Sequence, residues 1–162
     1  MKKLIFLNGC INSGKSTIGK LLIEKCSNLA CVEVDALHGF IPWMEIDEAV
    51  PLNIRNGLDV SRNFIHAGMD VVFAYPLSDK DFEYIKTLVD FECKIEAVTL
   101  YCSLEENLRN RGGRELNAWE IERIKWMHKN GLASPGFSEI IDTTNRKAQD
   151  IAEQIIRLYC LK

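Results

Sequence analysis

Gly9, Gly14, Lys15 and Ser16 stand in the spacing G-x-x-x-x-G-K-[ST] within LNGCINSGKST, residues 7–17. Those residue types at that spacing suit one task, the holding of a polyphosphate. Glycines let the main chain turn inward and aim successive N–H groups at one small volume. A helix opening there adds the positive end of its dipole. Lys15 would reach the outer phosphates as a point charge, and the Ser16 hydroxyl would complete a magnesium shell. The nucleotide-holding segment is then Gly9, Cys10, Ile11, Asn12, Ser13, Gly14, Lys15, Ser16 and Thr17, with Cys10 contributing its amide. A glycine turn that binds nothing has no need of lysine and serine at those two positions.

Such a loop works only between a strand and a helix, and the flanks supply both. KLIFLN (3–8) reads as a buried strand, and GKSTIGKLLIEKC places Ile18, Leu21, Leu22 and Cys26 at helical period. Further strands are predicted over 31–37, 70–76 and 94–102, with a fifth inside FSEIIDTT. A helix is predicted over about 52–67, its core face Ile54, Leu58, Phe64 and Ile65. Ser78 with Asp81, Ser103 with Glu106, and Asn117 with Glu120 form capping-box patterns that open three more. The last helix lies within NRKAQDIAEQIIRLYC. Strand and helix alternating throughout give an α/β chain: a parallel sheet with helices on both faces, in three layers. No linker divides it, so residues 1–162 are expected to form one domain.

Composition narrows the class of partner. A formal net charge of −3 lacks the basic excess of a general nucleic-acid or anionic-membrane binder. MKKLIFLNG briefly imitates a secretion signal, but its apolar run ends at Leu7, and no stretch is long enough to cross a bilayer. A cytoplasmic protein is predicted, as a monomer or homodimer, with no membrane or nucleic-acid partner. The six cysteines include no C-x-x-C pair, and Cys26, Cys31, Cys93, Cys102 and Cys160 read as reduced core residues.

Asp35 closes the second predicted strand, and ligands of such sheets bind beyond the carboxyl ends of the strands. A hydroxyl nucleophile needs a positioned acceptor for its proton, and an aspartate there can serve. Glu33, two residues earlier, would share its face of the strand. No N-K-x-D segment for reading guanine is present, NRKA (145–148) being the nearest, which leaves the small phosphotransferases.

In its phosphate loop at 9–16, its acidic strand end at 33–35, LRNRGGR at 108–114 and IIDTTNR at 140–146, the chain resembles the shikimate kinase, gluconate kinase and chloramphenicol phosphotransferase group of the nucleoside-monophosphate-kinase-like P-loop family. The resemblance covers most of the chain in order and spacing. It implies a five-stranded parallel sheet ordered 2-3-1-4-5 with a small arginine-containing lid, here about residues 110–131. It implies ATP and Mg2+ as cofactors and a small-molecule acceptor. It makes Asp35 the base or the orienting acid, and puts Glu33 beside Ser16 and Asp35 near the metal. Arg109 would stack on adenine, Arg111 or Arg114 would reach the phosphates, and Thr144 and Asn145 would lie near the adenine. Independently of the resemblance, Thr144 or Asn145 would cap the last helix.

One departure from these relatives concerns the third strand. VVFAYPL carries no acid at its end and no glycine-rich turn after it, which argues against shikimate as acceptor. HGFIPWM (38–44) concentrates aromatics where an acceptor would bind. His38 could orient its hydroxyl or be a plain loop histidine, and Phe40 and Trp43 could wall a pocket or cover the core. Arg55 and Arg62 share one helix face and could hold an anionic acceptor, while Asp59 between them offers an equal account as ion pairs. Trp119, Trp126 and Met127 read as packing residues. The expected activity is transfer of the γ-phosphate to a hydroxyl of a small molecule, with Lys15, Asp35, Arg111 and Arg114 in catalytic roles. Its rivals are a nucleotide kinase and a non-catalytic ATP-binding regulator.

Overall fold

The computed structural model describes residues 1–109 and 115–162. Five strands form one sheet: β1 (Lys3–Asn8), β2 (Leu29–Glu33), β3 (Asp70–Ala74), β4 (Lys94–Tyr101) and β5 (Glu139–Asp142). They are all parallel and lie in the order β2-β3-β1-β4-β5, as expected. β1 is the central strand, and Leu4, Ile5, Phe6 and Leu7 are fully buried. Alternation sends Ile5 and Leu7 into the core on one face, and Leu4 and Phe6 into the core on the other. A strand covered on both sides reads as a continuous apolar run for that reason.

The helices divide between the two faces. α1 (Lys15–Lys25) and α6 (Ala148–Tyr159) cover the first through Ile18, Leu22, Ile151 and Ile155. α2 (Ile46–His66) and α3 (Asp79–Leu88) cover the second through Ile54, Leu58, Phe82 and Ile85. α4 (Leu104–Asn107) and α5 (Ala118–Lys129) follow β4. Both halves of the capping box are made at Ser78/Asp81 and at Asn117/Glu120. At α4 the Ser103 hydroxyl accepts from the Glu106 N–H. Among the described residues, no helix is long and apolar enough to cross a membrane.

Several element ends differ from the expectation, β3 among them, which stops at Ala74 rather than 76. β2 spans Leu29–Glu33 rather than 31–37, and Val34–Phe40 form a 3₁₀ helix. The partner sets the limit: Glu33 pairs with Ala74, the last residue of β3, so Val34 and Asp35 have no ladder to join. α2 begins at Ile46, ahead of the expected start at 52, and runs through Pro51. Proline lacks the N–H that would bond the carbonyl four residues back, yet the flanking turns keep the helix going. α6 starts at Ala148 with Lys147 at its N-cap position, so neither Thr144 nor Asn145 caps it. Asn145 instead takes a left-handed turn at φ 57°, and the Thr144 hydroxyl accepts from the Ser103 N–H.

Candidate active site

Sheet order fixes what meets at the carboxyl edge. β1 delivers the phosphate loop at the middle, β2 and β3 lie to one side, and β4 and β5 to the other. A cleft of about 1210 Å³ opens along this edge. The loop residues Ile11 to Thr17 form its floor. Asp35, Tyr75 and Ser78 line it on the β2–β3 side, Thr143 and Arg146 on the β5 side, and Trp119, Arg123 and Trp126 of α5 border it as well.

Two glycines make the loop possible. Gly14 has φ 96°, a left-handed conformation that costs a side-chain-bearing residue. Gly9 has φ 149°, and a Cβ there would collide with the Ser13 hydroxyl and approach the Leu100 carbonyl to 2.9 Å. The Lys15 ammonium donates to the Gly9 carbonyl at 2.8 Å and the Cys10 carbonyl at 3.0 Å, bracing the bend from inside. The Ser13 hydroxyl is buried with no hydrogen-bond partner among the described residues. Cys10 is buried, and burial pushes its thiol up to about 11, which leaves it un-ionised and inert at neutral pH.

The acids stand close by, though not as a strand pair. Glu33 ends β2, and its carboxylate accepts from the Ser16 hydroxyl at 2.6 Å. Asp35 lies in the first turn of the 3₁₀ helix, so the two do not share a strand face. Burial raises the Asp35 carboxyl above the usual aspartate range; the Lys15 ammonium opposes that rise and the Glu33 carboxylate adds to it. His38, whose charge Asp35 also feels, does not line the cleft and keeps a buried Nδ1 without a partner. Tyr75, pushed up to about 12 by burial and by the carboxylates of Asp35 and Asp81, borders the same space.

Other expected residues lie elsewhere. Arg62 is held by Asp59 at 3.0 Å and by Asp90 at 2.8 Å, and Arg55 is exposed; neither lines the cleft. Arg109 is exposed and paired with Glu105 and Glu106, each at 2.7 Å, again outside the lining. On the β5 side the lining guanidinium is Arg146, which donates to the Asp142 carbonyl at 3.0 Å. Arg111 and Arg114 lie outside the described residues. Phe40 and Trp43 cover no core and are exposed. Met127 packs beneath the loop with Cys10 and Ala133, as expected, but Trp119 and Trp126 are exposed cleft residues rather than packing residues. Cys160 is also exposed, at the left-handed end of α6.

Two buried asparagines position the site, and sequence reasoning passed over both. Asn8 donates to the Thr99 hydroxyl at 2.9 Å and accepts from the Leu77 N–H at 2.7 Å, tying the strand before the loop to its neighbours on both sides. Asn107 donates to the Ile11 carbonyl at 2.7 Å, and its oxygen meets His128 Nε2 at 3.0 Å. Asn12, in a left-handed conformation at φ 64°, returns bonds to the carbonyls of Asn107 and Arg109.

No protein-family model matches the chain, and no curated protein matches it. Solved structures do, over nearly the whole length. A tunicamycin resistance protein of Deinococcus radiodurans is 22% identical, with a TM-score of 0.70 over 100% of this chain and 98% of that one. An APS kinase of Mycobacterium tuberculosis, in complex with AMPPNP and APS, is 16% identical with a TM-score of 0.71 over 98% and 97%. A shikimate kinase of Acinetobacter baumannii, in complex with shikimate, is 19% identical with a TM-score of 0.62 over 99% and 94%. With the strand order, these likenesses show that the chain has the P-loop kinase fold.

Proposed function

We propose that this protein is an ATP- and magnesium-dependent phosphotransferase that delivers the γ-phosphate to a hydroxyl of a small molecule. One observation carries the reading: the phosphate loop and the Asp35 carboxylate open onto one cleft, close enough for Lys15 to act on the ionisation of Asp35. An aspartate beside a loop whose amides serve a polyanion can take the proton of the group that receives the terminal phosphate.

The donor set fits magnesium and a polyphosphate. Ser16 and Glu33 offer hard oxygens in contact with one another, and the unpartnered Ser13 hydroxyl faces no competing acceptor. Among the described residues no group of three His, Cys, Asp or Glu side chains could hold a metal. That suits an ion bound through one hydroxyl, water and phosphate oxygens rather than a protein cage. When bound, magnesium would neutralise charge on the phosphates and hold them in line. Lys15 would carry the charge of the outer phosphates, and the loop amides would fix their position. Asp35 would take the proton of the acceptor hydroxyl as its oxygen forms the new bond to phosphorus; the bond to the bridging oxygen breaks and ADP leaves with that electron pair. Arg146, on the β5 side, replaces Arg109 as the cation beside the nucleotide.

The test is acceptor-dependent ADP release across a panel of sugars, hydroxy acids, nucleosides and aromatic alcohols. Release that requires an added acceptor is expected. Tight ATP binding with no release for any acceptor would mark a nucleotide-binding regulator and refute the reading.

A further inference from the structure

The two sides of the cleft differ in what they could accept. On the β2–β3 side and along α5, the lining carboxylates are Asp35, Asp47, Asp81 and Glu120, and the lining cation among the described residues is Arg123. Asp81 and Glu120 are engaged in helix caps, and Arg123 lies over the Trp126 ring, 4.3 Å from its centroid. The arginines that could have held an anion, Arg55 and Arg62, are outside the lining. The remaining wall is apolar: Ile46, Val50, Pro51 and Ile54 from α2, and Trp119 and Trp126 from α5. Three of these leave large apolar surfaces in water, Ile46 at 55%, Trp119 at 61% and Trp126 at 45% exposure. An anionic acceptor would leave water for a wall in which, among the described residues, carboxylates outnumber cations, so that this wall offsets little of its desolvation cost. An apolar body would remove that surface from water and gain by it.

Resting on the phosphotransferase reading, we propose that the acceptor is an uncharged alcohol with an apolar face, seated between the first turns of α2 and the exposed face of α5, with Trp119 and Trp126 as its flat contacts. The wall is continuous with the space in front of Asp35, so an alcohol lying on it reaches the proton acceptor without an anchoring charge. Anionic hydroxy compounds are poor acceptors on this account.

Matched pairs test it: aromatic hydroxy acids against their methyl esters, and nucleosides against nucleoside monophosphates, each measured by ADP release with Mg-ATP. The uncharged member should have a kcat/KM at least about tenfold higher. Trp126→Ala and Trp119→Ala should each raise its KM several-fold with kcat unchanged. A preference for the anionic member would overturn the assignment while leaving the phosphotransferase reading standing. If neither these pairs nor the wider acceptor panel release ADP, the phosphotransferase reading falls, and tryptophan fluorescence in a Trp43→Phe background judges the wall alone; if only the pairs are silent, the same fluorescence judges the wall. Quenching by the uncharged ester and not by its acid then upholds an apolar, anion-excluding site. Quenching by the acid, or by neither, overturns it.

Discussion

In the phosphate loop the working parts are main-chain groups: two glycines set the bend, the Gly9 and Cys10 carbonyls hold Lys15, and the Ile11 carbonyl is held by Asn107. On the wall of α2 and α5 the working parts are side chains, and several of them stand in water. The loop is braced by its own hydrogen bonds, while the proposed acceptor wall would gain most of its contacts from the ligand itself. On the proposed reading, nucleotide recognition would be a property of the fold, and acceptor choice a property of a few exposed side chains.

Experiments can break that contrast at either end. The largest effect is expected at Asp35, where the halves meet. Asp35→Asn should lower the transfer rate by roughly 10²–10⁴, the usual contribution of a general base, with ATP affinity within a few-fold. Full activity in this variant would refute the proton-acceptor role. Burial raises the Asp35 carboxyl, and on the proposed reading the ionised form would be the active one. The acid limb of the kcat/KM profile should therefore lie above the ordinary aspartate value of about 4. The same shift makes stability greatest below that ordinary value and erodes it as pH rises through the folded-state value. Asp35→Asn should accordingly raise Tm at pH 7, and the gain should vanish under acidic conditions.

Next comes the loop itself. Lys15→Met removes a charged donor and should weaken ATP binding about 10- to 100-fold by calorimetry, with little change in an acceptor's affinity for the wall. At Asn107, alanine would strip the Ile11 carbonyl of its amide partner in a fully buried place. A loss of about 1–3 kcal/mol in urea unfolding is expected, together with weaker ATP binding. An unchanged affinity would show that the loop holds its shape without that strut. The smallest effect belongs to Arg62→Ala. Its ion pairs with Asp59 and Asp90 are partly exposed, so stability should change by about 1 kcal/mol or less and kcat/KM should not move.

The alternation of strands and helices and the phosphate loop were legible because each rests on local rules: apolar runs between caps, and a motif whose geometry is written in consecutive residues; the strand order came from the resemblance to the P-loop kinase group. Two of three capping boxes formed in full for the same reason. What escaped was set by distant partners. β2 stops where β3 stops, which no reading of residues 31–37 alone can show. Arg55 and Arg62 were rightly placed on a helix, but Asp90 from another segment decides where Arg62 points. Trp119 and Trp126 have helical spacing whether they face a core or a cleft. Asn8 and Asn107 carry no signal at all, since their partners are 21 to 96 residues away.

The grip of Asn8 on Leu77 goes through the main-chain N–H. Every residue except proline offers that group, so this anchor of the β3–α3 connection at 75–78 is indifferent to the side chains at Pro76 and Ser78, while Leu77 stays buried in the core. Selection or laboratory design could thus exchange the residues facing the acceptor and shift preference from one compound to another, with the anchoring amide untouched. Proline at 77 would remove the anchoring N–H altogether.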